Sequence, residues 1–311
     1  MHSRINLALE KVNTMIMKQT KRGVVLSENA LYATVRVTKF SPLKTDKKRS
    51  RELAKANGAS SDSVKVQTRI FSKNFDAKVT AKESEIRANH YTYTFEVPSS
   101  GGKQSRGHRI VSTRIAEDYL ARQQSLKDEF EILADELVQD YENKIEGEKI
   151  RLGDFFDPSN YPHPDVVRSA YSADVDVDAI PAVEDIDVGR FTESQRAKAE
   201  KRQQEAIDGI TRELLQRMRD GVGTVRARLD KMITDPKGAR LHDSVFENLA
   251  ELVNTIIPAC DIADSPELQA LATEVKKLVR YSPDAIRTTV TAQKAIAKEA
   301  KAVEKKMASY F

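Results

Sequence analysis

Tryptophan is absent from this sequence, and cysteine occurs once, at Cys260. A lone cysteine makes no internal disulfide, and Cys/His metal frameworks are excluded by count. Its setting, Ile256-Ile257-Pro258-Ala259-Cys260, is apolar. A buried structural thiol is expected, because a reactive one needs an accessible, electropositive site. Aromatic residues make up only 6% of the chain, which argues for a helix-rich, solvent-laced fold over a compact sheet enzyme. No run approaches the about 18 consecutive apolar residues of a membrane span. The opening residues, Met1-His2-Ser3-Arg4-Ile5-Asn6, carry neither an apolar signal core nor a lipidation pattern. A cytoplasmic protein without membrane contact is expected.

Catalytic signatures are missing too. Gly101-Gly102-Lys103 superficially resembles a phosphate-binding loop, but Val97 and Gln104 stand where that loop needs a glycine and a hydroxyl. Asp174, Asp176 and Asp178 open like a calcium loop, yet Ala179 and Asp185 replace its glycine and its bidentate glutamate. Alternating Asp and Val there fits an edge strand whose charged face deters pairing with another sheet. His2, His90, His108, His163 and His242 are scattered in no metal-binding spacing. A non-enzymatic protein without cofactor or metal is therefore expected.

Charge is abundant, 51 Lys/Arg against 47 Asp/Glu, and unevenly spread. Residues 1–115 hold 23 basic and 9 acidic residues, residues 116–191 hold 7 and 20, and residues 192–311 hold 21 and 18. A basic block followed by an acidic one suits a polyanion partner, and equally the packing of copies head to tail. With 311 residues there is room for two domains or more. The charge blocks suggest a basic α+β domain over 1–112, an acidic helix-plus-strand segment over 113–191, and a helical domain over 192–311.

Periodicity predicts an α+β, predominantly helical fold, with a small N-terminal antiparallel sheet followed by long antiparallel helices. Helices are expected over 4–20, 50–57 and 75–89. Strands are expected over 29–40, 90–97 and 108–111, the second with Tyr91, Tyr93, Phe95 and Val97 on one face. Ile115, Tyr119, Leu126, Phe130, Leu133, Leu137, Tyr141 and Ile145 mark one face of a helix of about 30 residues. It is broken by Leu152-Gly153-Asp154-Phe155-Phe156-Asp157-Pro158. A short helix near 164–170 and a strand over 171–178 follow. Thr192-Glu193-Ser194-Gln195 reads as a capping box. Behind it, Ile207, Ile210, Leu214, Met218, Val222, Val225, Leu229 and Met232 step by threes and fours, close to a heptad seam. That seam is either internal core or the interface of a homo-oligomer, formed by Ile207, Ile210, Leu214, Met218, Val225 and Leu229. Gly221 and Gly223 interrupt it, and a kink is expected there. Helices over 243–257, 266–280 and 283–308 complete the chain.

Phosphate binding needs dense Lys/Arg, and base stacking needs aromatic faces beside them. Lys39, Lys44, Lys47, Lys48, Arg49, Arg51, Lys55, Lys65, Arg69 and Lys73 fall within 35 residues, interleaved with Phe40 and Phe71. Lys103, Arg106 and Arg109 form a second cluster next to Tyr91, Tyr93 and Phe95. The candidate phosphate contacts are Lys44, Lys47, Lys48, Arg49, Arg51, Lys103, Arg106 and Arg109. No motif of the established DNA- or RNA-binding classes is present.

Four further stretches carry a resemblance. They are Asp46-Lys47-Lys48 through Ala56-Asn57-Gly58-Ala59, Leu152 through Tyr161-Pro162, Leu241-His242-Asp243-Ser244-Val245-Phe246-Glu247-Asn248-Leu249, and Ser265-Pro266-Glu267-Leu268. Together they resemble a family of tailed-bacteriophage proteins of unknown function. The resemblance implies a phage protein of the host cytoplasm, commonly encoded among DNA-metabolism genes and near MoxR-type AAA+ ATPases. It carries over no catalytic residue. The function expected first is a non-enzymatic accessory protein that binds nucleic acid through basic N-terminal loops (41–51 and 98–107), DNA ahead of RNA, in replication, recombination or genome handling. The alternative is a self-assembling or adaptor protein whose basic and acidic blocks dock between copies or onto an ATPase or host-protein partner.

Overall fold

The computed structural model describes residues 26–97, 109–181, 193–235, 243–281, 286 and 289–309. The expected helix over 4–20, the loop with Lys103 and Arg106, and Thr192 of the capping box lie outside the described residues. In chain order the elements begin α1 (Leu26–Asn29), β1 (Ala30–Thr38), β2 (Leu43–Thr45), α2 (Lys47–Ala56), β3 (Gln67–Arg69), α3 (Ala77–Tyr93), β4 (Thr94–Glu96) and β5 (Arg109–Ser112). They continue with α4 (Ala116–Gln139), α5 (Tyr141–Leu152), α6 (Pro164–Ser169), β6 (Ser172–Ala179), α7 (Glu193–Thr234), α8 (Asp243–Ala259), α9 (Pro266–Leu278) and α10 (Val290–Met307). The chain is α+β and predominantly helical, with a small antiparallel sheet. Sheet order is β4-β5-β1-β6, and β2 and β3 form a separate two-stranded ribbon.

Two compact units divide the chain. Unit one draws on the described residues up to 34, on 91–119 and on those from 177 onward; unit two comprises 35–90 and 120–176. Each is discontinuous in sequence, whereas the charge blocks divide the chain into contiguous segments.

Unit one is built on α7, whose 42 residues reach about 63 Å at about 1.5 Å per residue. Its apolar stripe is buried against α8 and α10: Leu249 and Val253 of α8, and Ile296, Ala300 and Val303 of α10, share its core. This settles the heptad seam. Ile207, Ile210, Leu214, Met218, Val225 and Leu229 are all buried within the chain itself. Each contributes about 1.5–3 kcal/mol by leaving water. They are internal core and cannot also form a surface between copies. The helix runs unbroken through Gly221 and Gly223. At Gly221 a Cβ would stand 2.5 Å from Leu252 Cδ2, so a close approach of α8 accounts for this glycine. Cys260 is buried as expected. Burial, then the Asp261 carboxylate, pushes its thiol up to about 12.

The strand expected over 90–97 is shorter than read. Helix α3 continues through Tyr93, and only Thr94–Glu96 is extended, pairing Phe95 with Ile110 of β5. The cause is tertiary. Arg217 of α7 donates to the carbonyls of Tyr91, Thr92 and Thr94 at 2.8, 2.9 and 2.7 Å. A guanidinium on the last carbonyls of a helix caps it and complements its dipole, which outweighs the local preference for strand.

Unit two has an aromatic core. Phe71 stacks on Phe75 with centroids 3.8 Å apart and meets Tyr161 edge-on at 5.2 Å. Phe130, Tyr141 and Tyr171 complete it. Burial pushes the phenols of Tyr141 and Tyr161 up to about 12. Both stay protonated and donate, to the carbonyls of Pro162 and Ile70 at 3.0 and 2.8 Å. Those two bonds fasten the breaker segment after α5 onto the core. The single long helix expected over 115–145 is two, since α4 ends at Gln139 and α5 begins at Tyr141. Strand β6 is an edge of the sheet with Asp174, Asp176 and Asp178 exposed, as its alternation suggested.

Candidate nucleic-acid interface

The basic run expected as a loop over 41–51 is instead strand β2 followed by helix α2, because Asp46 supplies an N-cap ahead of a stretch without Gly or Pro. The Asp46 carboxylate accepts from the Arg49 N–H at 2.9 Å. The Asp46 N–H in turn donates to the Val66 carbonyl at 3.0 Å. One turn on, the Ser50 hydroxyl donates to the Asp46 carbonyl at 2.6 Å and accepts from the Val66 N–H at 2.9 Å. Only Ser50 and Ala54 are buried on this helix. Two small residues one turn apart let the backbone lie close on the segment leading into β3 and leave most of the cylinder in water.

Lys47, Arg51, Lys55 and Lys48 fall within an arc of about 100° along about 12 Å of axis, given 3.6 residues per turn. All four are exposed and have no ion-pair partner among the described residues. The first turn of α2 holds three cations and no acid, against the sense of the helix dipole. Asp46 offsets this only in part. The arrangement costs the helix stability in isolation and presents cations to water with no acid in the same turn to neutralise them, which suits an anionic partner.

The remaining candidates divide. Lys44 is half-buried, its ammonium 5.6 Å from the Phe40 ring centroid. Arg49 pairs with Asp46 at 3.5 Å and lies over Phe155, its guanidinium carbon 3.8 Å from the ring centroid. Arg109 belongs elsewhere. It sits in unit one with its side chain only 15% exposed. It donates to the Thr94 hydroxyl and carbonyl at 2.7 and 3.0 Å and pairs with Glu213 at 3.3 Å. Burial, chiefly, holds its guanidinium below the usual range. It is a structural group and not a free phosphate contact. Phe40 and Phe71, read as aromatics beside the lysines, line the core of unit two. The exposed aromatic near the basic helix is Phe155, which the sequence places only in a helix-breaking segment. Nothing in its local pattern pairs it with Arg49.

Many of the opposite charges meet inside unit two. Lys82 pairs with Glu129 at 2.6 Å, Lys39 with Glu83 at 2.8 Å, and Arg168 with Glu131 at 2.5 Å and with Asp135. Among the described residues, no group of three or more His, Cys, Asp or Glu side chains could hold a metal ion, and no helix is long and apolar enough to cross a membrane. No family model, no curated protein and no solved structure matches the chain.

Proposed function

We propose that this chain is a non-enzymatic nucleic-acid-binding protein whose phosphate contacts are made by the exposed face of α2. The observation that carries this reading is the cluster of Lys47, Lys48, Arg51 and Lys55 on one arc, unpaired among the described residues, with Lys47 and Lys48 in a first turn that cations destabilise. Four such cations on one arc, two of them opposing the dipole of their own helix, suit an anionic partner. Docking between copies is a weaker reading, since unit two holds 20 basic and 20 acidic residues and several of them neutralise one another internally. The resemblance to the phage family would place the activity in genome handling in the host cytoplasm, with DNA ahead of RNA and an AAA+ ATPase as a candidate partner.

The test replaces Lys47, Lys48, Arg51 and Lys55 by Ala together and follows binding to labelled DNA against salt. Every cation that no longer meets a phosphate flattens the log–log salt dependence by about 0.7–0.9. The fourfold variant should show a slope shallower by about 3 and a marked drop in affinity. Its stability should be nearly unchanged, because alanine favours helix and relief of the dipole conflict at Lys47 and Lys48 is set against loss of the favourable Lys55 in the last turn. Unchanged affinity and slope in a folded variant would sink the proposal.

A further inference from the structure

Resting on the reading of α2 as a phosphate-binding face, we infer that the polymer it takes is single-stranded, with an unpaired base stacked on Phe155. Phe155 closes the short 3-10 turn Gly153–Phe155, and 56% of it is exposed. Burying a phenyl ring stabilises a fold by about 1.5–3 kcal/mol, so this one is held in water without serving the core. The turn beneath it is well fixed. Gly153 has φ +51°, a left-handed backbone that suits glycine, and its carbonyl accepts from the Phe156 N–H at 2.9 Å. Asp157 then accepts from the Ser159 N–H and hydroxyl at 2.9 and 2.7 Å. The ring is thus presented on a hydrogen-bonded turn.

Arg49 lies over that ring, and 56% of the residue stays exposed beside it. A guanidinium stacked on an aromatic is itself a platform onto which bases extend. Leu53, one turn further along α2 on the Arg49 side, is also largely exposed. The helix therefore carries a cationic arc from Lys47 to Lys55 and, about 100° further round past the exposed Glu52, an apolar, stacking flank of Phe155, Arg49 and Leu53. A single strand has the same two-sidedness, with phosphates along one edge and base faces along the other. In a duplex the base faces are closed by their neighbours and only base edges reach the grooves. The exposed carboxylate of Asp154, next to Phe155, repels phosphates and so favours the backbone on the lysine side.

The experiment is fluorescence anisotropy of the full chain at fixed moderate salt, with labelled oligothymidylate, labelled oligouridylate and a mixed-sequence DNA duplex. The wild-type chain should prefer the single strands, and the first two probes decide between DNA and RNA. Phe155→Leu keeps an apolar side chain and removes the stacking ring. It should weaken single-strand binding about five- to a hundredfold, as loss of one base–aromatic stack implies, while duplex affinity and salt slope stay as in the wild type. Phe155→Tyr should restore binding. A Phe155→Leu variant, folded by circular dichroism, that binds single strands like the wild type would overturn the inference. If the fourfold Ala variant of α2 still lost binding, the α2 reading would survive. An equal loss on single strand and duplex would overturn it too. Absence of wild-type binding to all three probes would overturn both readings.

Discussion

Arg109 uses its Nε and one terminal nitrogen to hold Thr94 and Glu213, and its guanidinium lies 5.1 Å from the Tyr91 ring centroid. Removing it takes two charge-assisted hydrogen bonds from Thr94 and one from Glu213, leaving Arg217 on the Thr94 carbonyl, and hydrogen bonds to charged groups are worth about 1.5–3 kcal/mol each. Arg109→Ala is expected to lower stability by about 2 kcal/mol, read from the denaturant midpoint, and to leave the affinity of the folded protein for nucleic acid as it was. Weakened binding at unchanged stability would return Arg109 to the interface. In the sequence Arg109 and Arg51 look alike, each a basic residue beside others. What separates them is Glu213, on a helix far along the chain, and no local pattern reports it. The lysines of α2 were legible because cations without partners default to the surface. Phe40 and Phe71 were misleading for the complementary reason. Proximity in sequence to lysines says nothing about which side of the chain faces the core, and Phe155, the exposed ring, meets Arg49 only through the fold.

At the scale of elements, the helices of unit one were legible because a stripe repeating every three to four residues has to be buried. The stripe does not say against what. Ile207 through Leu229 suited a second copy as well as α8 and α10, and the chain supplies its own partners. The ends of α3 and α4 were hidden. Tyr91 and Tyr93 favour strand and were kept helical by Arg217, while the break at Asp140 has neither Gly nor Pro to announce it. The glycines of α7 offer a test of this packing. At Gly223 the nearest atom to an added Cβ is Glu304 Oε1 at 3.3 Å, the end of a side chain whose other oxygen pairs with Arg226 at 2.6 Å. Gly223→Ala should raise stability by about 0.5–1 kcal/mol through helix propensity. Gly221→Ala should gain less or lose, because its Cβ would stand 2.5 Å from Leu252 Cδ2 and Leu252 has to move. Paired thermal or denaturant melts check the order. A more stable Gly221→Ala would mean that α8 does not press on α7 there.

Over the whole molecule, the basic and acidic blocks were plain in the sequence, but not that chain segments 35–90 and 120–176 bring them into one unit. That consequence is open to titration. Burial alone would raise Glu83, yet hydrogen bonds from Lys39 and Arg87 outweigh it and hold the carboxyl below its usual value. The hydrogen bond from Lys82 does the same for Glu129, and its counterpart raises Lys82. Carboxyls with lowered folded values contribute stability that is complete above their unfolded values, near about 4, and lost as pH falls through the folded ones. Lys82, raised, keeps its share until alkaline pH. The denaturant midpoint should therefore hold from neutrality to about pH 5 and fall below about pH 4; a midpoint flat to about pH 3 would show that these pairs contribute nothing. Unit one carries a different kind of gauge. Its Cys260 is the only thiol in the chain, fully enclosed, and absent from unit two. A thiol-trapping reagent therefore works as a clock for one half of the molecule, counting the openings of the helical unit and blind to those of the unit that bears the basic helix.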